Sequence, residues 1–225
     1  MINMSREYSP VFTYFVIISC TLAFFVGLFL PIPMLMSLYG NFSINPSTFF
    51  IEKNYLSLLT YQFLHLNFQH LLSNMFVLFS VGRSVESEIG IAKFGLSYLT
   101  AGVFSGLFHV IFNQSSEVAV IGASGAVFGA IALLLLLMPF RFTTAMIIPV
   151  PGFVLGITML VIEVGSVLFS SDVLVAHDIH LYGFLVGGLA SFGIDYDRAL
   201  RGLVISVVVI LLLYYWAFYV EGLVI

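Results

Sequence analysis

The sequence predicts an all-α polytopic membrane protein, and composition and apolar run length both support this fold class. The chain has 225 residues, of which 61% are hydrophobic and only 8% are charged. A soluble domain carries about 25% charged residues, and a water-soluble fold could not bury so large an apolar share. Apolar runs near the roughly 20 residues that cross a bilayer as a helix recur along the chain. No domain boundary is visible, so one integral membrane domain over residues 1–225 is predicted.

Seven stretches are long and apolar enough to be predicted as transmembrane helices. They cover residues 11–32, 64–82, 94–112, 119–138, 146–169, 174–193 and 202–220. The first is too long for the apolar region of a signal peptide and has no convincing cleavage site, so it is predicted to be retained. The connection 33–63 is rich in aromatic and leucine side chains, which indicates that it lies at the membrane interface.

The lysines and arginines predict the orientation of the bundle, because basic residues favour the cytoplasmic side of a membrane. With the N-terminus inside, Lys53 is the one basic residue left outside, against six on the cytoplasmic side. Those six are Arg6, Arg83, Lys93, Arg141, Arg198 and Arg201. The prediction is a cytoplasmic N-terminus and, if all seven helices span, a C-terminus outside.

Charge and cysteine content argue against several classes of partner and site. The net charge is −4 without a basic stripe, so a nucleic-acid partner is not expected. Cys20 is the only cysteine, which excludes a disulfide framework or a thiolate metal site within one chain. The short loops, the lack of an appended soluble domain and the lack of an Arg-rich presequence predict a prokaryotic plasma membrane rather than a mitochondrial one.

Two apolar helices each place one reactive side chain beside glycines that are four residues apart. Residues 122–129 read GASGAVFG and contain Ser124, while residues 180–187 read HLYGFLVG and begin with His180. Small residues at this spacing let two membrane helices pack closely. Ser124 and His180 could therefore meet inside the bilayer.

Three polar side chains share one predicted depth in the membrane. Ser124 lies about five residues into the fourth span and His180 about six into the sixth, or roughly 8–9 Å at the helical rise. His70 lies at a similar depth in the second span. The predicted orientation puts all three in the outer half of the bilayer, whereas chance would scatter them over both leaflets.

A serine and a histidine at this depth can hydrolyse a peptide bond. A neutral imidazole removes the proton of the serine hydroxyl, the serine attacks the carbonyl, and the imidazole then protonates the leaving amine. Water releases the acyl-enzyme. The oxyanion needs preorganised donors, which the free amides of a helix beginning near Ser124 could supply. His70 and Asn74, one turn apart, could add side-chain donors.

Each of these signals also has a purely structural interpretation. Serine and glycine are common at membrane helix interfaces because they allow close packing, so GxSG alone is a weak signal. His70 and His180 could each be satisfied by a backbone carbonyl. Polar groups in lipid are costly and so favour a functional role, and their occurrence at one depth favours a shared site.

Taken together, the motifs resemble those of the rhomboid intramembrane serine proteases over about residues 55–193. The shared patterns are HxxxN at 70–74, GxxxExxxG at 82–90, GxSG at 122–125 and HxxGxxxG at 180–187. The resemblance implies a bundle of six core transmembrane helices with a seventh C-terminal helix at about 202–220. It also implies that Ser124 is the nucleophile and His180 the base of a dyad without a catalytic carboxylate.

The resemblance further implies supporting roles and a kind of substrate. His70 and Asn74 would assist the oxyanion, and Phe128, one turn below Ser124, matches an aromatic position that packs against the histidine. The site-supporting glycines are Gly122, Gly125, Gly183 and Gly187. No metal, nucleotide or organic cofactor is expected. The expected substrate is another transmembrane protein, with a single span and small or helix-breaking residues near the cut.

The chain departs from the family pattern at two places. Leu56 and Ser57 stand where many members carry a Trp-Arg pair, so the usual anchoring of the first loop is not expected here, whereas the dyad is unaffected. Tyr182 stands where the family often has a small residue, and its bulk is expected to narrow or reshape the site.

Three further ionisable residues need an interpretation. His177 lies one turn before His180 but lacks the glycine pair at the matching offset, so His180 is favoured as the base. Glu163 is expected to face a water-filled cavity about six residues from the end of the fifth span and to help hydrate the site. Glu86 is expected to fix the cytoplasmic loop after the second helix.

Two other functions stay open beside proteolysis. A non-proteolytic relative would bind transmembrane clients, but such relatives usually lose the serine or the histidine, and both are present here. A transporter or channel could use Glu163, His70, His177 and His180 as a proton or ion path. That function does not explain GxSG beside the histidine's glycines, and it predicts polar groups in the inner leaflet, where almost none occur. The sequence favours an intramembrane endopeptidase.

Overall fold

The computed structural model describes residues 8–146, 148–170 and 175–220, and the architecture there is mainly helical. The helices are α1 (Val11–Leu28), α2 (Ile32–Phe42), α3 (Phe49–Glu52), α4 (Ser57–Thr60), α5 (Phe68–Val77), α6 (Arg83–Ile89), α7 (Ile91–Phe112), α8 (Ser124–Leu137), α9 (Gly152–Phe169), α10 (His177–Ile194) and α11 (Tyr196–Tyr215). A 3-10 turn spans Tyr61–Phe63, and π-helical turns span Leu78–Gly82 and Trp216–Val220. Strands β1 (Phe142–Met146) and β2 (Ile148–Pro151) pair as an antiparallel hairpin.

Within the described residues, four helices are long and apolar enough to cross a membrane, namely α1, α7, α9 and α11 extended to Tyr219. The shorter apolar helix α8 has 14 residues, which is about 21 Å at the helical rise. The second and sixth predicted spans also fold as helices, the second as one continuous run from Phe68 to Ile89. The chain is therefore a helical polytopic membrane protein, as predicted.

The central helix of the bundle is α8. Residues 125–137 are all buried, and α7, α9, α10 and α11 pack around them. A helix enclosed in this way does not face lipid along its length. Its 14 residues need not match the hydrocarbon thickness of about 30 Å.

Helices α8 and α10 come into direct backbone contact. A β-carbon built on Gly183 would overlap the carbonyl oxygen of Gly125, and one on Gly187 would overlap the carbonyl oxygen of Gly129. The two glycine pairs therefore face each other across the interface. Only glycine lets the two backbones touch at these points, which brings the N-terminal turns of both helices together.

Several helix boundaries differ from the predicted spans. The fourth helix begins at Ser124 rather than at residue 119, because Gly122 has a φ of 126° and Val120 forms a β-bridge with Ile44. The fifth begins at Gly152 rather than at residue 146, because the β-hairpin precedes it. The second begins at Phe68, where the Asn67 side chain accepts a hydrogen bond from the His70 amide.

At the remaining ends, the first helix stops at Leu28 rather than at residue 32, and the third and seventh begin earlier than predicted, at Ile91 and Tyr196. Residue 174, the predicted start of the sixth span, and Arg6, which was counted for the orientation, lie outside the described residues.

The connection before α5 is anchored without a Trp-Arg pair. Tyr61 inserts towards α7, where its hydroxyl donates to the carbonyl of Gly102 at 2.7 Å. The carbonyl of Tyr61 accepts a hydrogen bond from the Gly122 amide at 2.9 Å. The first loop thus holds both α7 and the segment that leads into α8.

Candidate active site

Ser124 is the first residue of α8, and the predicted position about five residues inside the helix is wrong. The first intrahelical bond runs from the Val127 amide to the Ala123 carbonyl at 3.0 Å. The amides of Ser124, Gly125 and Ala126 precede it and have no acceptor within the helix. These donors and the positive end of the helix dipole lie beside the serine, where they favour an anion.

A cavity of about 900 Å³ opens at this end of α8. Most of the predicted site side chains line it together: Ser124, His180, His70, Asn74 and Phe128. Glu163 and His177 are not among its lining residues. The structure thus gathers these residues from three helices, α5, α8 and α10, around one space that a peptide segment could enter.

His70 faces the same point as the Ser124 hydroxyl. A β-carbon built on Gly122 would lie 2.7 Å from His70 Nε2 and 3.9 Å from Ser124 Oγ, so glycine leaves room for both groups. The amide of Leu66 points at the other ring nitrogen, Nδ1, at 3.5 Å. The ring of His65 packs edge-on against His70 at a centroid distance of 5.0 Å.

Asn74 is buried and lies one helical turn after His70. Its Nδ2 donates to the His70 carbonyl at 2.9 Å. A primary amide carries a second N–H, and Asn74 lines the cavity. Asn74 therefore steadies the His70 turn and has a donor left for a group bound in the cavity.

His180 is held between an aromatic ring and a carboxylate. Its ring stacks on Phe128 with a centroid distance of 4.4 Å and an interplanar angle of 4°. Its Nδ1 lies 3.0 Å from Glu163 Oε1, although the contact is not aligned as a hydrogen bond. Because Nδ1 faces the carboxylate, Nε2 is the nitrogen available to another partner.

Glu163 is buried within α9, with 6% of the residue exposed. Its Oε2 lies 2.7 Å from Nδ1 of His177, which forms an aligned hydrogen bond with it. The carboxylate therefore bridges His177 and His180 instead of facing the cavity, which differs from the expected position. These three side chains offer ligand atoms within 4.8 Å of one another and are a set that could hold a divalent cation.

A second carboxylate–histidine pair lines the same cavity and was missed by sequence reasoning. Asp178 Oδ2 lies 2.7 Å from His109 Nδ1 and accepts a hydrogen bond from Asn113 Nδ2 at 2.9 Å. His109 and Asn113 are four residues apart at the end of α7, a spacing that puts both on one helix face. That spacing was the available signal, but it did not show which residue would face them.

Tyr182 does not narrow the site. Its ring packs against Phe108 and Phe112 of α7, at centroid distances of 5.7 and 5.9 Å, and it is not among the residues that line the cavity. The tyrosine turns away because it lies on the face of α10 that meets α7. The expectation of a narrowed site is corrected by these contacts.

Fold and cavity together define a polytopic helical membrane protein with a serine at a buried helix N-terminus and histidines on the same cavity. The rhomboid domain family matches residues 52–196. The chain belongs to the rhomboid family.

Individual relatives match parts of the chain. Rhomboid protein 1, mitochondrial, of Saccharomyces cerevisiae is 30% identical over 110 residues, which is 45% of this chain and 32% of that protein. Rhomboid-like protein 11, chloroplastic, of Arabidopsis thaliana is 45% identical over 74 residues, covering 33% of this chain and 26% of the relative. Rhomboid protease GluP of Bacillus subtilis is 40% identical over 78 residues, covering 35% and 15%. These matches span about a third or less of each relative's length.

Proposed function

We propose that this protein is an intramembrane serine endopeptidase in which Ser124 is the nucleophile and His180 the general base. The observation that carries the proposal is the shared cavity, which Ser124 and His180 both line at the N-terminal ends of two helices in backbone contact. One of the matched relatives is named a rhomboid protease, which supports the same chemistry here.

In the proposed reaction, His180 Nε2 accepts the hydroxyl proton as Ser124 Oγ attacks the scissile carbonyl. The same nitrogen returns the proton to the leaving amine, and a water molecule then releases the acyl group from Ser124. The free amides at the start of α8 face the position where the oxyanion forms. His70 can add a donor, since the Leu66 amide at Nδ1 favours the tautomer with its proton on Nε2.

The proposed substrate is a transmembrane protein, because the site lies within a helical membrane bundle. A carbonyl inside a regular helix is already hydrogen-bonded and shielded. Cleavage therefore requires a segment with small or helix-breaking residues that can extend into the cavity. A single-span protein could supply such a segment from the surrounding lipid, and no cofactor enters the mechanism.

The orientation belongs to the same proposal. The distribution of lysine and arginine supports a cytoplasmic N-terminus, an external C-terminus and an active site in the outer half of the bilayer. The minimal loops support a prokaryotic plasma membrane, while the matched relatives include mitochondrial, chloroplast and bacterial proteins. Cysteine accessibility at the two ends of α7, measured in sealed vesicles, tests the orientation.

The test is cleavage by purified protein in liposomes. The substrate is a single-span protein with a helix-breaking segment, and the variants are Ser124→Ala, His180→Ala and His177→Ala. The first two are expected to lose about 10⁴-fold or more in rate, as when a nucleophile or its base is removed from a serine protease. His177→Ala is expected to retain cleavage.

Labelling of Ser124 by a fluorophosphonate separates the alternatives. Labelling without cleavage means an active nucleophile given an unsuitable substrate. If the wild-type protein is not labelled and does not cleave the substrate, the proposal is contradicted and the client-binding alternative is favoured. Ion flux that survives Ser124→Ala would favour the transporter alternative.

A further inference from the structure

A carboxylate contacts the imidazole to which the proposed function assigns the role of base, although the family resemblance implies a dyad without one. We propose that Glu163 is a positioning residue for His180, so that the site operates as a Ser–His–carboxylate triad. This inference rests on the proposed function and names a further residue for that reaction.

The burial of Glu163 shows that its contacts are not incidental. Only 8% of its side chain is exposed, and that of His180 is 14% exposed. An ionisable side chain within a membrane helix is costly and requires partners inside the bundle. Each oxygen of Glu163 meets Nδ1 of a different histidine, at 2.7 Å for His177 and 3.0 Å for His180.

The nitrogen that Glu163 contacts is the one that a triad requires. A carboxylate that accepts from Nδ1–H holds the neutral ring in the tautomer with a free lone pair on Nε2. The proton of Ser124 then moves to Nε2, the Nδ1 proton stays on the ring, and the carboxylate remains ionised. The positive charge that forms on His180 is stabilised by the carboxylate, so atoms and charges balance without a further reactant.

The two contacts of Glu163 differ in alignment. Because Phe128 holds the His180 ring, the Glu163 carboxylate is the group that has to move to align the second contact. The hydrogen bond with His177 is aligned, whereas the approach to His180 is close but off line. Catalytic hydrogen bonds are often poorly aligned in unliganded enzymes and tighten when substrate binds. Since Phe128 fixes the plane of the His180 ring, alignment requires a small rotation of the carboxylate on α9.

The position of Glu163 favours this role over hydration of the site. The carboxylate does not line the cavity, so it can affect the reaction only through its contact with the His180 ring. A divalent cation held by Glu163, His177 and His180 would occupy the same Nδ1. All measurements therefore include a chelator, so that the effect of the carboxylate is recorded without a metal.

The first experiment measures the rate at which a fluorophosphonate labels Ser124 as a function of pH. Labelling reports the reactivity of the nucleophile without depending on a substrate. Glu163→Gln is expected to slow it by about 10²-fold, less than the roughly 10⁴-fold loss when an aligned triad carboxylate is replaced. The pH profile of labelling is also expected to differ from that of wild type, because the negative charge beside the His180 ring is removed.

Two variants serve as controls. Glu163→Asp keeps the charge but has a reach about 1.5 Å shorter, so its rate should lie between those of wild type and Glu163→Gln. His177→Ala removes the competing partner, at a ring distance of 6.1 Å from His180, and should not slow labelling.

A second experiment tests the positioning independently of proteolysis. ¹⁵N chemical shifts of the ring nitrogens distinguish the two tautomers, and His180→Ala assigns the signal among the five histidines. The wild type is expected to carry the proton on Nδ1, and Glu163→Gln to show a mixture of tautomers.

The proposal would be overturned if Glu163→Gln were labelled at the wild-type rate with the wild-type pH profile. It would also be overturned if the His180 ring of Glu163→Gln kept the wild-type tautomer. A wild type that is not labelled contradicts the proposed function instead, and the tautomer still decides the role of Glu163. Should Glu163→Gln not fold, the same readouts are taken from Glu163→Asp, for which a wild-type rate and profile contradict the proposal.

Discussion

Two buried carboxylates lie near opposite ends of the bundle, and they differ in the kind of partner that each one has. Glu86 is fully buried and accepts hydrogen bonds from the Phe12 amide, the Thr13 amide and the Thr13 hydroxyl, at 2.8, 2.7 and 2.7 Å. Glu163 contacts two histidine rings, and one of these contacts is not aligned.

The difference separates a structural carboxylate from the one that we propose to act on the reacting histidine. The partners of Glu86 are donors in the first turn of α1, so Glu86 caps that helix and complements its dipole. This corrects the expectation that it fixes the cytoplasmic loop after the second helix. The partners of Glu163 are titratable, and one is the proposed base. The kind of partner therefore supports the role that we propose for Glu163 and none in the reaction for Glu86.

The largest effect is expected from a substitution at the backbone contact between α8 and α10, near the end of the bundle that contains Glu163. In Gly183→Ala the added β-carbon overlaps the Gly125 carbonyl, so α8 and α10 must separate. A shift of 1 Å between reacting groups can cost about 10²-fold in rate, and overpacking costs about 1–3 kcal/mol. Fluorophosphonate labelling of Ser124 should fall by at least about 10²-fold, and the thermal midpoint in micelles should drop.

A matched control lies on the same helix. The β-carbon of Gly188→Ala meets Leu136 Cδ1 at 3.7 Å, an ordinary contact, so stability should change by less than about 0.5 kcal/mol. Equal labelling rates in Gly183→Ala and Gly188→Ala would show that the glycine contact does not set the distance between Ser124 and His180.

Glu86→Gln tests the other side of the comparison. The amide keeps the shape of the carboxylate but removes its charge and one of its two acceptor oxygens. The three donors that bonded to the carboxylate remain. Breaking a buried charged network costs about 3 kcal/mol, measured as a lower unfolding midpoint in micelles. The labelling rate of the folded fraction should equal that of wild type. Slower labelling by folded protein would contradict a purely structural role.

The sequence predicted those parts of the fold that depend on run length and local spacing. Long apolar runs predicted the helical membrane class, because length and hydropathy alone decide whether a helix can span a bilayer. The glycine spacing predicted a close approach of two helices, and α8 and α10 meet at those residues. The start of α8 was not predictable, because it depends on Val120 pairing with Ile44, far away in the sequence.

The partners of both carboxylates also lay beyond the reach of sequence reasoning. Glu86 bonds to Thr13, 73 residues away, and Glu163 bonds to His177, 14 residues away on another helix. No local periodicity relates such positions. Motif spacing could place Ser124, His180 and His70 on helices, but which carboxylate faces a histidine depends on how α9 packs against α10.

The smallest effect is expected from a substitution that removes the side-chain donor to Glu86 and leaves its backbone donors in place. Thr13→Val removes the hydroxyl donor with little change in shape, while the amides of Phe12 and Thr13 still reach the carboxylate. A hydrogen bond to a charged group contributes about 1.5–3 kcal/mol, and two donors remain, so a loss near 1.5 kcal/mol is expected. The loss should nearly vanish when Thr13→Val is made in the Glu86→Gln background, because the charged acceptor is then absent. Additive losses in this double-mutant cycle would mean that the hydroxyl stabilises α1 through another contact, and the cap would then consist of backbone amides alone.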